Sequence, residues 1–202
     1  MRADAERNRE RLLDATIELI LEVGGEPARD AIAARAELGI GTLYRHFPDQ
    51  QSLLHAAARQ AIERCIAAGE SALANGTDSF DTLRQYLHAS IDNGIGVVNL
   101  IHPLLDDPEW PDLSARAATL LTTIVRRNRR DRNVGPDFSE RDVAYATIRF
   151  GRPLALGLTL AEERAVAHRQ LDVYIDGLQR EVRFDDRGAI GRRVPTDADE
   201  DQ

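Results

Sequence analysis

Residues 33–47, Ala-Ala-Arg-Ala-Glu-Leu-Gly-Ile-Gly-Thr-Leu-Tyr-Arg-His-Phe, constrain this 202-residue chain more tightly than any other stretch. They read as two short helices joined by a tight turn, and Pro48 prevents the second from running past Phe47. Two helices crossing this closely need a small residue at the crossing, and Ala33 supplies it. Ile32, Ala36, Leu38 and Leu43 stand at the offsets that pin the pair together. The turn wants a left-handed backbone, where glycine is usual. Here the turn residue is Glu37, at a cost of about 1 kcal/mol.

The rest of the chain repeats the helical period. From Ala3 to Val23, Leu12, Ala15, Thr16, Leu19, Ile20 and Val23 recur on one face, and Gly24-Gly25 ends the run. Pro27 suits the first turn of a second helix, and a third covers Ile40 to His46. Asp49 is a natural N-cap for a long fourth helix with Leu53, Leu54, Ala57, Ala58, Ala61, Ile62 and Cys65 inward. After the break at Asn75-Gly76-Thr77-Asp78 comes a helix carrying Phe80, Leu83, Leu87, Ile91 and Gly94. Three prolines between His102 and Asp112 interrupt regular structure, and a helix from Pro111 to Arg130 follows. Ser139 with Asp142, and Thr159 with Glu162, read as capping boxes opening two more helices, the first ended or kinked by Pro153 and the second reaching Val182. From Arg183 the chain turns Gly-, Pro- and acid-rich, which predicts a disordered acidic tail over 183–202. No segment alternates with period two, so the expected fold class is all-α with about nine helices.

Composition narrows the function. The formal charge is −8, and residues 1–60 hold eight arginines against ten acids, so nucleic-acid binding has to rest on a local face. No run reaches the roughly 18 apolar residues of a membrane span, and the charged start lacks a signal-peptide core. These features predict a cytoplasmic protein with no membrane partner. The lone Cys65 reads as a buried small hydrophobe. The histidines His46, His55, His88, His102 and His168 lack metal-ligand spacing, so no metal and no cofactor is expected. No Gly-rich phosphate loop, nucleophile elbow or Ser-x-x-Lys points to an enzyme.

The second short helix carries the one set of residues with a clear chemical use. Gly39, Ile40 and Gly41 let its start lie close to bases and sugar-phosphate. Thr42, Tyr44 and His46 can donate to phosphates, and Arg45 can reach a phosphate or a guanine edge. Gly-Thr-Leu-Tyr-Arg-His-Phe-Pro (41–48), preceded by Ile-Ala-Ala-Arg-Ala (32–36) and followed by Ser-Leu-Leu (52–54), resembles the N-terminal domain of the tetracycline-repressor (TetR) family of bacterial regulators. The resemblance covers about residues 7–60. Beyond it, only the helical layout and Phe150-Gly151-Arg152-Pro153-Leu154 are similar.

The resemblance implies a three-helix helix-turn-helix DNA-binding domain over 5–65, with its reading motif at about 28–47, and a helical effector-binding and dimerisation domain over 66–182. It implies a homodimer that sets the helix from Ile40 to His46 into successive major grooves of a pseudo-palindromic double-stranded operator. Residues matching Thr42, Tyr44 and His46 touch phosphate in similar proteins; those matching Gly39, Ile40, Gly41 and Arg45 touch base edges. Arg29 and Gln50 complete the expected DNA-binding set. Where the family carries Lys or Arg followed by Glu, this chain reads Asp49-Gln50-Gln51, so each subunit releases about one counterion fewer. The implied function is a transcriptional regulator, a repressor released by a small-molecule effector; the alternative is a helical small-molecule-binding protein with weakened or lost DNA binding. Candidates for the effector pocket are Phe80, Tyr86, Asp92, His102 and Trp110. Candidates for a dimer interface on the last two helices are Val143, Ile148, Phe150, Val166, Leu171, Tyr174, Ile175 and Leu178.

Overall fold

A computed structural model describes residues 2–76, 78–101, 110–154 and 157–179, which form nine α-helices and no strand among them. In chain order these are α1 (Arg2–Val23), α2 (Arg29–Arg35), α3 (Ile40–His46), α4 (Gln50–Asn75) and α5 (Ser79–Asp92). Then come α6 (Ile95–Ile101), α7 (Pro111–Arg130), α8 (Glu140–Phe150) and α9 (Leu160–Gln179). None of the described helices is long and apolar enough to cross a membrane. The expected acidic tail over 183–202 lies outside the described residues.

Local chemistry accounts for most helix ends. Asp49 accepts the Ser52 backbone N–H at 2.6 Å and starts α4. Asp78 takes the N–H groups of Phe80 and Asp81 at 2.8 and 2.9 Å and starts α5. Both expected capping boxes form. Asp142 accepts from the Ser139 N–H at 2.7 Å, and Glu162 from the Thr159 N–H at 2.8 Å.

Two expectations need correcting, and one helix, α6, was not expected. Pro27 is not in the first turn of α2, whose N-cap is Ala28. It is buried in the preceding loop, where its carbonyl accepts the Gln50 side-chain amide at 3.0 Å. Gly94 is not part of the apolar stripe of α5: with φ +74° it is the left-handed turn that lets the chain reverse into α6. Helix α6 itself carries no helical period. Ile95, Val97 and Val98 are all buried, so a short segment apolar on every side looks alike as helix or strand.

Helix α5 is central, packing against α4, α6, α7, α8 and α9. One contiguous apolar core runs from Leu12 of α1 to Ile175 of α9 and includes Ile32 and Leu43 of the reading motif. On the outer side, α5 is tied to α9 by paired imidazoles. The Nδ1 atoms of His88 and His168 lie 2.7 Å apart, His88 Nε2 is 3.0 Å from Asp172 and His168 Nε2 is 2.9 Å from Asp92. Three contacts among four ring nitrogens are all hydrogen bonds when the pair carries three N–H groups. Arg84 extends the tie, reaching Asp172 at 2.9 Å and Asp176 at 3.0 Å.

Helices α6 and α8 meet through bare backbone. A Cβ placed on Gly96 would fall 2.3 Å from the Gly151 carbonyl carbon and 2.6 Å from its oxygen. Neither atom belongs to a side chain that could turn away. Gly96→Ala is therefore expected to lower stability by about 1–3 kcal/mol, the usual range for overpacking. Gly135, whose added Cβ would meet nothing within 4 Å, is the control. Gly135→Ala should leave the thermal unfolding midpoint nearly unchanged, and equal midpoints for the two variants would refute the close approach.

Candidate nucleic-acid interface and adjoining cavity

The turn between α2 and α3 is a Schellman motif built without glycine. Glu37 has φ +52°, its N–H donates to the Ala34 carbonyl at 3.0 Å, and the Leu38 N–H donates to the Ala33 carbonyl at 2.9 Å. That turn sets the crossing of the two helices. Ala33 is buried at the crossing, while Ile32 and Leu43 are wholly enclosed. With Leu43 pointing inward, its neighbours on α3 point out. Ile40 is 37% and Tyr44 53% exposed, and Gly39, Gly41 and Arg45 are also exposed. Thr42 and His46 are half-buried, and Arg45 donates to Thr42 Oγ1 at 2.9 Å. The structure thus gathers all seven predicted residues of 39–46 other than the Leu43 anchor onto one outward-facing element.

Arg29 takes a different place from the rest. Its guanidinium lies 4.3 Å from the centre of the Tyr44 ring and donates to the Phe47 carbonyl, while its Nε is buried without a hydrogen-bond partner. It braces the last turn of α3 and orients Tyr44. Arg9 of α1 sits 5.4 Å from the centre of the Phe47 ring and joins the same corner. Sequence reading passed Arg9 over, since 38 residues separate it from Phe47 and only the fold brings them together. Gln50 also departs from expectation. Its Nε2 donates inward to Pro27 and its Oε1 is buried without a partner, so its amide is committed to the protein interior.

Several acids of this segment are engaged by arginines or backbone N–H groups. Glu22 and Glu18 of α1 both hold Arg35 of α2, at 2.8 and 3.4 Å. The Arg35 hydrogen bond holds the Glu22 carboxyl below its ordinary range, burial opposing it. Glu37 pairs with Arg11 at 2.9 Å, and Asp14 meets Arg64 at 2.5 Å. The Asp49 carboxyl is held low by the Ser52 backbone N–H it accepts. Around the end of α3 stand Arg9, Arg29, Arg45 and His46.

Further along α4 lies a cavity of about 140 Å³ between α4, α5, α6, α7 and α8. Of the expected effector-pocket residues, Tyr86 and Trp110 line it. Phe80 is buried elsewhere, with Arg84 5.9 Å from its ring centre. Asp92 is exposed and bound to His168. His102 lies outside the described residues. The other walls include Ile62, Cys65, Ile66, Leu113, Ala117 and Thr147; no ionisable acid, arginine or histidine is among the described lining residues. Ile62 and Cys65 were visible in sequence as an inward stripe, but not as the wall of a hollow. The Cys65 thiol meets Ser90 Oγ at 3.0 Å, and burial pushes the thiol up and the Tyr86 phenol well above its ordinary range. Trp110 Nε1 donates to His55 Nε2 on α4 at 3.0 Å.

The predicted interface residues of α8 and α9 divide. Val143, Leu171 and Ile175 are inside the protomer core, on the faces turned toward α5, and cannot meet a partner. Ile148, Phe150, Val166, Tyr174 and Leu178 are half-buried. Tyr145 and Val173, which sequence reading left out, are 53% and 75% exposed. Ile148, Phe150 and Tyr174 join Tyr145 and Arg149 around an open groove. Burial, helped by the Asp142 charge, pushes the Tyr174 hydroxyl up to about 12.

Residues 12–57 match the family model described as bacterial regulatory proteins, tetR family. The chain is 41% identical over 78 residues to the HTH-type transcriptional repressor KstR of Mycolicibacterium smegmatis, a match that covers 37% of this chain and 38% of that protein. It therefore spans well under half the length of that relative. Among solved structures, a TetR transcriptional regulator from Streptomyces coelicolor superposes with a TM-score of 0.60 at 26% identity, covering 85% of this chain and 98% of that one. The TetR-like regulator LfrR of Mycobacterium smegmatis, solved in complex with proflavine, superposes with a TM-score of 0.57 at 24% identity, covering 83% and 95%.

Glycine at position 37 would remove the left-handed strain of roughly 1–2 kcal/mol, against about 0.4–1 kcal/mol of added chain entropy when unfolded. The exposed Arg11 pair adds little. Glu37→Gly is thus expected to raise stability by a few tenths to about 1 kcal/mol, read as a higher unfolding midpoint; a lowered midpoint would contradict the strained turn.

Proposed function

We propose, from the match of residues 12–57 to the model of bacterial regulatory proteins of the tetR family, that this chain is a homodimeric, sequence-specific DNA-binding repressor of that family, released from a pseudo-palindromic operator by a small-molecule effector. The observation that carries this reading is the exposure of Ile40, Tyr44 and Arg45 on a helix anchored underneath by the wholly buried Leu43. Nothing inside the protomer needs those side chains outward, whereas a major groove does.

In this reading Thr42, Tyr44 and His46 bind phosphates, while Arg45 and the backbone-thin start at Gly39, Ile40 and Gly41 approach base edges. Arg29 acts through Tyr44, which it braces. Residues 5–65 form the reading domain and 66–182 the effector and dimerisation domain. The dimer face is the outer side of α8 and α9, where Tyr145, Ile148, Phe150, Val173 and Tyr174 leave apolar surface open that a four-helix arrangement with a second copy would cover. The effector enters the cavity beside Trp110.

Helix α4 makes release by an effector mechanically reasonable. Its first residue touches the loop before α2 through the Gln50–Pro27 hydrogen bond. His55, five residues on, receives the Trp110 hydrogen bond, and Ile62, Cys65 and Ile66 form a cavity wall. A molecule that displaces Trp110 thus acts on the helix supporting the reading head. Thermodynamic reciprocity requires the same molecule to bind the DNA-bound form less tightly.

A gel-shift assay on DNA upstream of the protein's own gene tests the proposal. Specific retardation is expected, and Arg45→Ala should weaken it at least about tenfold, as loss of a base or phosphate contact does, with helical content unchanged. Full retardation by the Arg45→Ala protein, or no retardation by the native chain, would favour a small-molecule binder that does not read DNA.

A further inference from the structure

The effector cavity has a chemistry of its own that the walls define. We propose that it takes an uncharged, apolar molecule about the size of one aromatic ring, held by packing rather than by a charged partner; this rests on the effector reading above. Size comes first. The cavity holds about 140 Å³, close to an engineered apolar cavity of about 150 Å³ that binds benzene. Multi-ring ligands typically need pockets of about 300 Å³ or more.

Charge comes second. The described lining residues carry no formal charge, so a carboxylate or ammonium entering would lose its hydration without gaining a counter-ion. Polarity comes third. Ser90 donates its hydroxyl hydrogen to the Tyr86 carbonyl at 2.8 Å, so in the 3.0 Å contact with Cys65 the thiol is the donor. The Tyr86 phenol, kept protonated by burial, closes the same cluster by hydrogen bonding with the Cys65 thiol and the Ser90 hydroxyl. The polar atoms of this wall therefore satisfy one another, and the Tyr86 ring lines the cavity as apolar surface. Gly69 makes this placement possible, since a Cβ there would fall 2.7 Å from the Tyr86 ring.

The chain contains a single tryptophan, and it forms part of the cavity wall. Its fluorescence therefore reports occupancy directly. The full-length protein should be titrated with phenol, toluene and benzoate, following Trp110 emission and the unfolding midpoint, which rises when a ligand binds the folded form. Phenol and toluene are each expected to bind saturably and at least tenfold more tightly than benzoate. Ala117→Phe, which fills the cavity, should abolish both responses; should that variant not fold, Ala144→Leu serves the same purpose from α8.

Benzoate binding as tightly as phenol overturns the proposal, as does an unchanged response in a folded cavity-filled variant, or the lack of any saturable response to phenol and toluene. Operator binding is scored separately by gel shift without any ring compound. Retardation without ring binding would defeat this inference alone, and ring binding without retardation would defeat the repressor reading alone.

Discussion

The physical constraint on which the rest depends is the unbroken 26-residue α4 and its one buried stripe. Leu53, Leu54, Ala57, Ala58, Ala61 and Cys65 are all buried, and Cys65 at the end of this stripe lines the cavity. A helix rigid over that length cannot accommodate a ligand at one end without passing some displacement to the other. The polar contacts along it mark the stations. Gln50 holds the loop before α2, Gln60 reaches Asp14 of α1 at 2.7 Å, and His55 receives Trp110 from the start of α7. Each joins α4 to a different neighbour, so its position is determined by α1, the loop before α2 and the start of α7 together.

Charge is arranged with comparable economy. A chain of formal charge −8 can present a cationic corner only if its acids are occupied. The N-terminal helices do so in part, setting Glu18, Glu22 and Asp14 against arginines. The Arg35 pair with Glu22 and Glu18 fastens α2 to α1, and the Asp14 cluster fastens α1 to α4. The same pairs hold the N-terminal helices together, while Arg9, Arg29 and Arg45 gather around the end of α3. Overall composition conceals this, because summed charge carries no information about direction.

What sequence revealed and what it hid follow from the range of the interactions. The helix boundaries at Asp49, Asp78, Ser139 and Thr159 were legible because a cap is a contact between residues two or three apart. The exposed set on α3 was legible for the same reason: Pro48 fixes its end, and one anchor, Leu43, fixes its rotation. Helix α6 was not, since burial on all sides erases the period. The partition of α8 and α9 was not either. Val143, Leu171 and Ile175 look like Phe150 and Tyr174 in sequence, and only the position of α5 decides which of them face inward. Arg9, the His88–His168 pair and the Trp110–His55 bond all span tens of residues, and no local pattern announces them.

The glycine-to-glycine contact between α6 and α8 has a mechanical meaning. Where side chains interleave, two helices can slide by changing rotamers; where main chain rests on main chain, there is no such lubricant. Ile95 stands beside Gly96, and Thr147 and Ile148 stand one turn before Gly151, all of them bordering the hollow. Those two walls are therefore welded into a single plate, and the hollow widens along the seams that plate shares with α4, α5 and α7.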